Sequence, residues 1–283
     1  MSIPFQKIAV VGLGLIGGSL VKSFRHNIPE CKLIGVDFQD VVAAAREYLD
    51  EAFLPEDLTQ ALRDADLIFL AAPIHVIVQL LPEVAKATRP GAIVTDVGSA
   101  KNFIVEEAQR HFTGGRYFIG GHPMTGREKG GWKNSNASLF ENAAYVLTPS
   151  SNLPAPLVDS LTRLLQTIGA RVITLDAETH DRIVADISHL PQLLAVALMN
   201  FIARENAQSE LSLQLAAGGF RDMTRLAASP FELWQDILES NRTNVRQSLQ
   251  EFIAALQNLM HDFDNKNLKL SFEQANQLRQ FNI

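Results

Sequence analysis

Short apolar runs alternate with helical periodicities through the first 176 residues, and from Ala177 onward only the helical period remains. The runs are Lys7–Val11, Lys32–Val36, Leu67–Ala71, Ala92–Asp96, Tyr117–Gly120, Ala144–Leu147 and Arg171–Thr174. Between them lie helical patterns such as Ile77–Lys86, Asn102–Arg110 and Leu157–Ile168. That alternation predicts an α/β fold, a doubly wound parallel sheet of Rossmann type, over residues 1–176. Residues 177–283 are expected to form an all-helical domain. There Val245, Leu249, Phe252, Ile253, Leu256, Leu259, Met260 and Phe263 recur at three- and four-residue spacing, a wide apolar face on one long helix. A helical half of this size cannot bury several such faces by itself, so association of two chains through it is expected.

The first run opens directly into Gly12-Leu-Gly14-Leu15-Ile16-Gly17, a G-x-G-x-x-G turn, with a helical pattern beginning at once. Gly12 permits the tight turn, Gly14 lets the backbone approach a pyrophosphate, and Gly17 allows close helix packing. Leu15 and Ile16 open the helix, whose first N–H groups can receive phosphate oxygens. The second run ends in Asp37, 20 residues after Gly17, where an acid can bind the adenosine ribose hydroxyls. The expected cofactor is NAD rather than NADP. Asp37 would repel a 2′-phosphate, and Phe38, Gln39 and Asp40 supply no arginine to hold one.

Composition narrows the partners. The chain has 283 residues, 47% of them hydrophobic, with a net charge of −6 and no cluster of lysine or arginine. A small-molecule substrate is therefore expected, with neither nucleic acid nor a membrane as partner. No apolar segment reads as long enough to span a bilayer, and Met-Ser-Ile-Pro-Phe-Gln-Lys lacks the apolar stretch of a signal peptide. Cys31 is the only cysteine, so no internal disulfide or thiolate cluster can form, which fits a cytoplasmic location. His180, Asp181, Asp186 and His189 form a polar stretch, but without H-E-x-x-H spacing or a third soft ligand, so no metal is expected. Asp186, three residues before His189, either orients that imidazole or pairs at the surface. Pro191 cannot donate to the Ile187 carbonyl, which predicts a helical irregularity beside His189. His26, His75, His111 and His261 read as structural or exposed.

Candidate chemistry gathers at two strand ends. In a sheet ordered 3-2-1-4-5-6, Ala92–Asp96 takes the fourth place and Tyr117–Gly120 the fifth, side by side on the nicotinamide side. The fourth runs out into Asp96-Val-Gly-Ser99-Ala-Lys101 and the fifth into Gly120-Gly-His122-Pro-Met-Thr-Gly126. With neighbouring strands about 4.8 Å apart, Ser99 and His122 are expected to share a hydrogen bond. Histidine is the best general base at neutral pH, and the serine would fix its tautomer or hold the reacting oxygen. The segment Arg127–Asn142, rich in glycine, asparagine and serine, is either a mobile lid or an ordinary surface loop.

Val11–Ser19, Asp96-Val-Gly-Ser99, Gly121-His-Pro-Met124 with Gly126, Ser188-His-Leu-Pro191, and Gly218-Gly-Phe-Arg-Asp-Met-Thr-Arg225 with Trp234 are distributed over most of the chain. Together they resemble the prephenate and arogenate dehydrogenases of tyrosine biosynthesis. The resemblance implies NAD-dependent oxidative decarboxylation of prephenate to 4-hydroxyphenylpyruvate, of arogenate to tyrosine, or of both. It makes His122 the catalytic base, Ser99 its helper at the substrate hydroxyl, His189 a wall of the substrate pocket, and Arg225 the grip on a substrate carboxylate. It also implies an active site at a homodimer interface, with Gly218–Asp222 reaching the neighbouring subunit's substrate. The chain departs from the family at Arg127, before Glu128, where a threonine is common. Arg127 either binds the pyruvyl carboxylate or pairs with Glu128 or Asp222. Two other readings remain open. One is a β-hydroxyacid dehydrogenase or pyrroline carboxylate reductase, which lack the Gly-His-Pro loop; the other is a non-catalytic NAD-sensing protein.

Overall fold

The computed structural model describes residues 4–126, 129–205, 213–265 and 267–280. Its contacts group them into two units: the chain up to Val184 together with Ala228–Ser240, and Ala185–Ala227 together with the chain from Asn241 onward. The helix Ala177–Val184, counted with the helical half in the sequence reading, thus belongs by its contacts with the sheet.

The first unit is built on an eight-stranded sheet. In chain order it contains β1 (Lys7–Val11), α1 (Leu15–Asn27), β2 (Lys32–Val36), α2 (Gln39–Ala45), β3 (Glu51–Phe53), α3 (Leu58–Leu62), β4 (Leu67–Leu70) and α4 (Ile74–Ala87). There follow β5 (Ile93–Asp96), α5 (Asn102–His111), β6 (Tyr117–Pro123), β7 (Ala144–Pro149), α6 (Ala155–Thr167), β8 (Arg171–Thr174) and α7 (Ala177–Val184). The strand order is β3-β2-β1-β4-β5-β6-β7-β8.

Two features correct the sequence reading. The three-residue β3 pairs with β2 and occupies the third place, so β4 lies beside β1 and the later strands each move along by one. β5 and β6 remain parallel neighbours. β7 runs antiparallel to β6, with His122 opposite Val146, and parallel pairing resumes at β8. An apolar run reports burial, not direction, so the reversal was not visible in it.

The continuous apolar strands follow from burial on both faces. Side chains alternate along β1: Ile8 and Val10 face one way, with Leu20 and Phe24 of α1 and Leu161, Leu164 and Leu165 of α6. Ala9 and Val11 face the other, with Ile77, Leu81 and Val84 of α4 and Ile104 of α5.

The second unit holds a π-helical turn at Ala185–His189 and α8 (Leu190–Glu205). After them come α9 (Gly218–Thr224), α11 (Arg242–Asp264) and α12 (Leu268–Arg279); α10 (Phe231–Ser240), between α9 and α11 in the chain, belongs to the first unit and packs there through Ile237 and Trp234. The π turn lies immediately before Pro191, the irregularity the missing proline N–H predicts; the ladder widens where an i→i−4 donor is absent. Many large apolar side chains of this unit are exposed, among them Phe201, Leu256, Leu259, Met260 and Phe263. The helical run Ala177–Arg204 is, by length and composition, long and apolar enough to cross a membrane, where the sequence reading found no such segment. It nonetheless carries four buried polar side chains: His180, Asp181, His189 and Gln192.

Candidate active site

The glycine turn between β1 and α1 divides its labour. Gly12 sits at φ +90°, and a Cβ there would run into the Ala71 carbonyl; a Cβ on Gly17 would collide with the Gly12 carbonyl. Both are needed to bring strand, turn and helix together. Gly14, the N-cap of α1, is different, because a Cβ there would meet nothing within 4 Å. Open space therefore faces the residue whose backbone must approach a pyrophosphate, and Leu15, Ile16 and Gly17 form the first helical turn, whose N–H groups lack intrahelical acceptors. Asp37, at the end of β2, accepts hydrogen bonds from Leu13 N at 2.5 Å and Phe38 N at 2.7 Å. Its carboxylate is thereby fixed against the glycine turn. These residues fit a dinucleotide.

A buried polar cluster lies at the carboxyl ends of β5 and β6. His122 comes from β6 and is 8% exposed. Its Nδ1 lies 2.9 Å from Nε2 of His180, the two rings meeting edge to face at 74°. His180 Nδ1 is in turn 2.8 Å from Asp181 Oδ1. Asp181 accepts from Lys101 N at 2.7 Å and Asn102 N at 2.9 Å, the start of α5. The same lysine pairs through its Nζ with Asp96, and both side chains are fully buried. Asp96 also accepts from Gly98 N at 2.8 Å and from Gly121 N at 3.1 Å, the residue preceding His122. Burial pushes the Lys101 ammonium below its ordinary pKa, against the pull of Asp96 and Asp181. Such a pair adds little net stability, but removing one partner would strand a buried charge.

Ser99 departs from expectation. It follows β5 and is half-buried, yet it makes no hydrogen bond to His122; the imidazole Nδ1 faces His180 instead. Strand spacing placed the two chain ends correctly, but the direction a side chain takes after the last ladder position is set by the turn, not by the spacing.

His189 and Arg225 belong to the second unit. His189 is 1% exposed, its Nδ1 lying 3.3 Å from Asn241 Nδ2. Asp186 does not orient it; that carboxylate accepts from Ser248 Oγ at 2.5 Å. Arg225 is exposed and opens a short 3-10 turn, Arg225–Ala228, to which Gln192 of α8 donates through the Leu226 carbonyl at 3.0 Å. Neither Asn241, the N-cap of α11, nor Gln192, within α8, is legible from sequence, since a lone amide side chain carries no local signal. Arg127 and Glu128 lie outside the described residues. Among the described residues no group of three or more histidine, cysteine, aspartate or glutamate side chains could hold a metal ion.

The stretch from Trp132 to Ala137 is held against α1. Lys22 lies 4.5 Å over the Trp132 ring and donates to Ser135 O at 3.1 Å, Asn136 N donates to Ser19 Oγ at 2.9 Å, and Ser23 Oγ donates to Ala137 O.

Two family models match the chain: "Prephenate dehydrogenase, nucleotide-binding domain" over residues 20–174 and "Prephenate dehydrogenase, dimerization domain" over residues 176–274. The chain belongs to the prephenate dehydrogenase family. It is 36% identical to a prephenate dehydrogenase of Lactococcus lactis, across 97% of this chain and 77% of that protein. Among solved structures it is similar to Synechocystis arogenate dehydrogenase, with 35% identity and a TM-score of 0.86 over 98% of this chain and 100% of the other. A prephenate dehydrogenase from Aquifex aeolicus, solved with hydroxyphenyl propionate and NAD⁺, superposes with a TM-score of 0.90 at 26% identity, covering 99% of each chain. The resemblance drawn from the Gly-His-Pro loop and the Gly-Gly-Phe segment thus holds across nearly all of the chain.

Proposed function

We propose that this chain is an NAD-dependent dehydrogenase that oxidatively decarboxylates prephenate to 4-hydroxyphenylpyruvate, with arogenate, which would yield tyrosine, as the competing substrate. The observation that carries the reading is the buried His122–His180–Asp181 chain at the carboxyl edge of the sheet whose first turn is built for a dinucleotide. Family membership supplies the substrate class.

Gly12, Gly14, Leu15, Ile16 and Gly17 would hold the pyrophosphate and Asp37 the adenosine ribose. When bound, NAD⁺ supplies the hydride acceptor. The chain's own task is to position the ring and manage one proton. His122 takes the C4 hydroxyl proton as the carbonyl develops, a step of general-base catalysis contributing roughly 10²- to 10⁴-fold. Ser99 holds the hydroxyl, His189 forms a wall of the pocket, and Arg225 grips a carboxylate by two parallel hydrogen bonds. Loss of carbon dioxide and aromatisation of the ring then drive the reaction forward.

We infer further that the active form is a homodimer joined through the helical half, with the substrate site at that interface. The exposed apolar faces of α11 and α12 and the dimerization-domain match support this. The single buried cysteine supports a reducing, cytoplasmic setting.

A spectrophotometric assay of NADH formation tests the reading, with prephenate and arogenate each offered alongside NAD⁺ and NADP⁺. Turnover of either cyclohexadienyl acid with NAD⁺ supports it. Turnover only of β-hydroxyacids or proline, or cofactor binding without turnover of any of these, overturns it.

A further inference from the structure

The cluster around His122 dictates more than a location. Three nitrogens face the Asp181 carboxylate within the cluster: Lys101 N–H at 2.7 Å, Asn102 N–H at 2.9 Å and His180 Nδ1 at 2.8 Å. A carboxylate only accepts, so His180 Nδ1 must carry a proton. Neutral His180 then holds its lone pair on Nε2, and that lone pair faces Nδ1 of His122 at 2.9 Å. To make this contact a hydrogen bond, His122 Nδ1 must be the donor. The lone pair of His122 is thereby confined to Nε2.

We propose that His180 and Asp181 are positioning residues for the base: through two successive hydrogen bonds they hold His122 in the Nδ1–H tautomer, with Nε2 as the proton acceptor. This rests on the reading of His122 as general base given above. In the reacting complex the substrate O–H bond breaks and an N–H bond forms at Nε2. The oxygen keeps the electron pair, which becomes the second bond of the carbonyl as the hydride leaves for the nicotinamide. The resulting imidazolium still donates from Nδ1 to His180, so no group in the chain has to move, and Asp181 opposes the new positive charge across one ring.

The ring of contacts closes on itself. Asp96 accepts from Gly121 N beside His122 and pairs with Lys101, whose backbone N–H holds Asp181. Both carboxylates are buried and each is held by at least two backbone N–H groups, so the geometry is set by β5, β6 and the start of α5 before any ligand arrives. The free imidazole favours the opposite, Nε2–H tautomer. The cluster therefore selects a form that an unconstrained histidine would populate less.

The test is ¹⁵N NMR of the full-length protein labelled at its seven histidines, with His122→Asn used to assign the His122 signals. In its uncharged form His122 should show a protonated Nδ1 and a bare Nε2; the reverse pattern overturns the proposal. This readout needs no substrate, so it decides the tautomer even if the enzyme turns over neither prephenate nor arogenate. Kinetics supply the second arm. His180→Leu, close in volume, removes the acceptor and should lower kcat by about 10- to 10³-fold with little change in KM. His180→Gln can present a carbonyl oxygen where Nε2 stood and should recover activity to within about tenfold of the parent. Unchanged kcat in His180→Leu, or equal impairment in both variants, would mean that His180 is merely packing. If His180→Leu fails to fold, the glutamine variant and the NMR spectrum of the parent still decide.

Discussion

The two units treat their apolar side chains in opposite ways. In the sheet unit Ile8, Leu20, Phe24, Leu67 and Phe69 are fully buried. In the helical unit the buried set is mainly polar or small, with His189, Gln192, Asn241 and Ser248 beside Ala185, Ala195 and Val245. Leu256, Leu259, Met260 and Phe263 of α11 meanwhile stand at 42 to 68% exposure. A large uncovered apolar face marks a surface meant for another surface. The sheet unit buries its large apolar side chains within its own chain; the helical unit leaves its largest ones exposed, where the proposed dimer would cover them, and buries mainly polar or small side chains.

That contrast predicts where substitutions act. His122→Asn, in the sheet unit, should lower kcat by at least about 10²-fold and leave KM nearly unchanged, because the base acts only as the proton moves; steady-state kinetics with NAD⁺ checks this. Arg225→Ala, in the helical unit, should do the reverse, raising KM by about 10- to 100-fold with kcat within a few-fold, since the substrate carboxylate proposed as its partner would be charged before and during reaction. A kcat effect from Arg225 or a KM effect from His122 would erase the division of roles.

Backbone sterics give the next largest effect. Gly17→Ala forces a methyl group onto the Gly12 carbonyl and should destabilise the fold by about 3 kcal/mol or more in urea unfolding. Gly14→Ala meets open space and should change stability by less than about 1 kcal/mol while weakening NAD binding measured by calorimetry. Leu256→Glu on α11 should shift the sedimentation profile toward monomer at micromolar concentration without loss of helical signal. A dimer as tight as the parent would move the shared surface elsewhere. The smallest effect is at Cys31. Burial, aided by Asp66 and Glu30, pushes its thiol up to about 11. At pH 8, below that value, only about one thiol in 10³ is ionised, so a thiol-reactive dye should label native protein slowly and unfolded protein fast.

How much of this was legible in sequence depended on distance along the chain. Gly12, Gly14, Gly17 and Asp37 sit in one β-α-β unit, so a fixed local spacing encoded their shared task. The place of His122 at a strand end was legible from the apolar run before it, and the π turn because a proline lacks a donor. In sequence His180 and Asp181 stand out only as members of a polar stretch of metal-ligand type; their partners His122 and Lys101 lie 58 and 80 residues away, and no periodicity reports a contact of that kind. Lys101 passed unremarked at the end of its motif, since nothing local shows that a lysine will be fully buried against Asp96. β3 escaped because a three-residue strand reading Glu-Ala-Phe has too few positions to establish an alternation. Ser99 shows the limit from the other side: strand adjacency was right, and the hydrogen bond built on it was not.

Because β7 runs counter to β6, the peptide between Pro123 and Ala144 departs from and returns to one rim of the sheet. A crossover between parallel strands must climb the full height of the layer, which ties its length to the architecture. A same-rim excursion carries no such obligation, and each doubling of its length costs only about 0.6 kcal/mol in closure entropy. Surroundings of the histidine rim can therefore be lengthened, trimmed or rewritten over evolution while every strand pairing stays as it is.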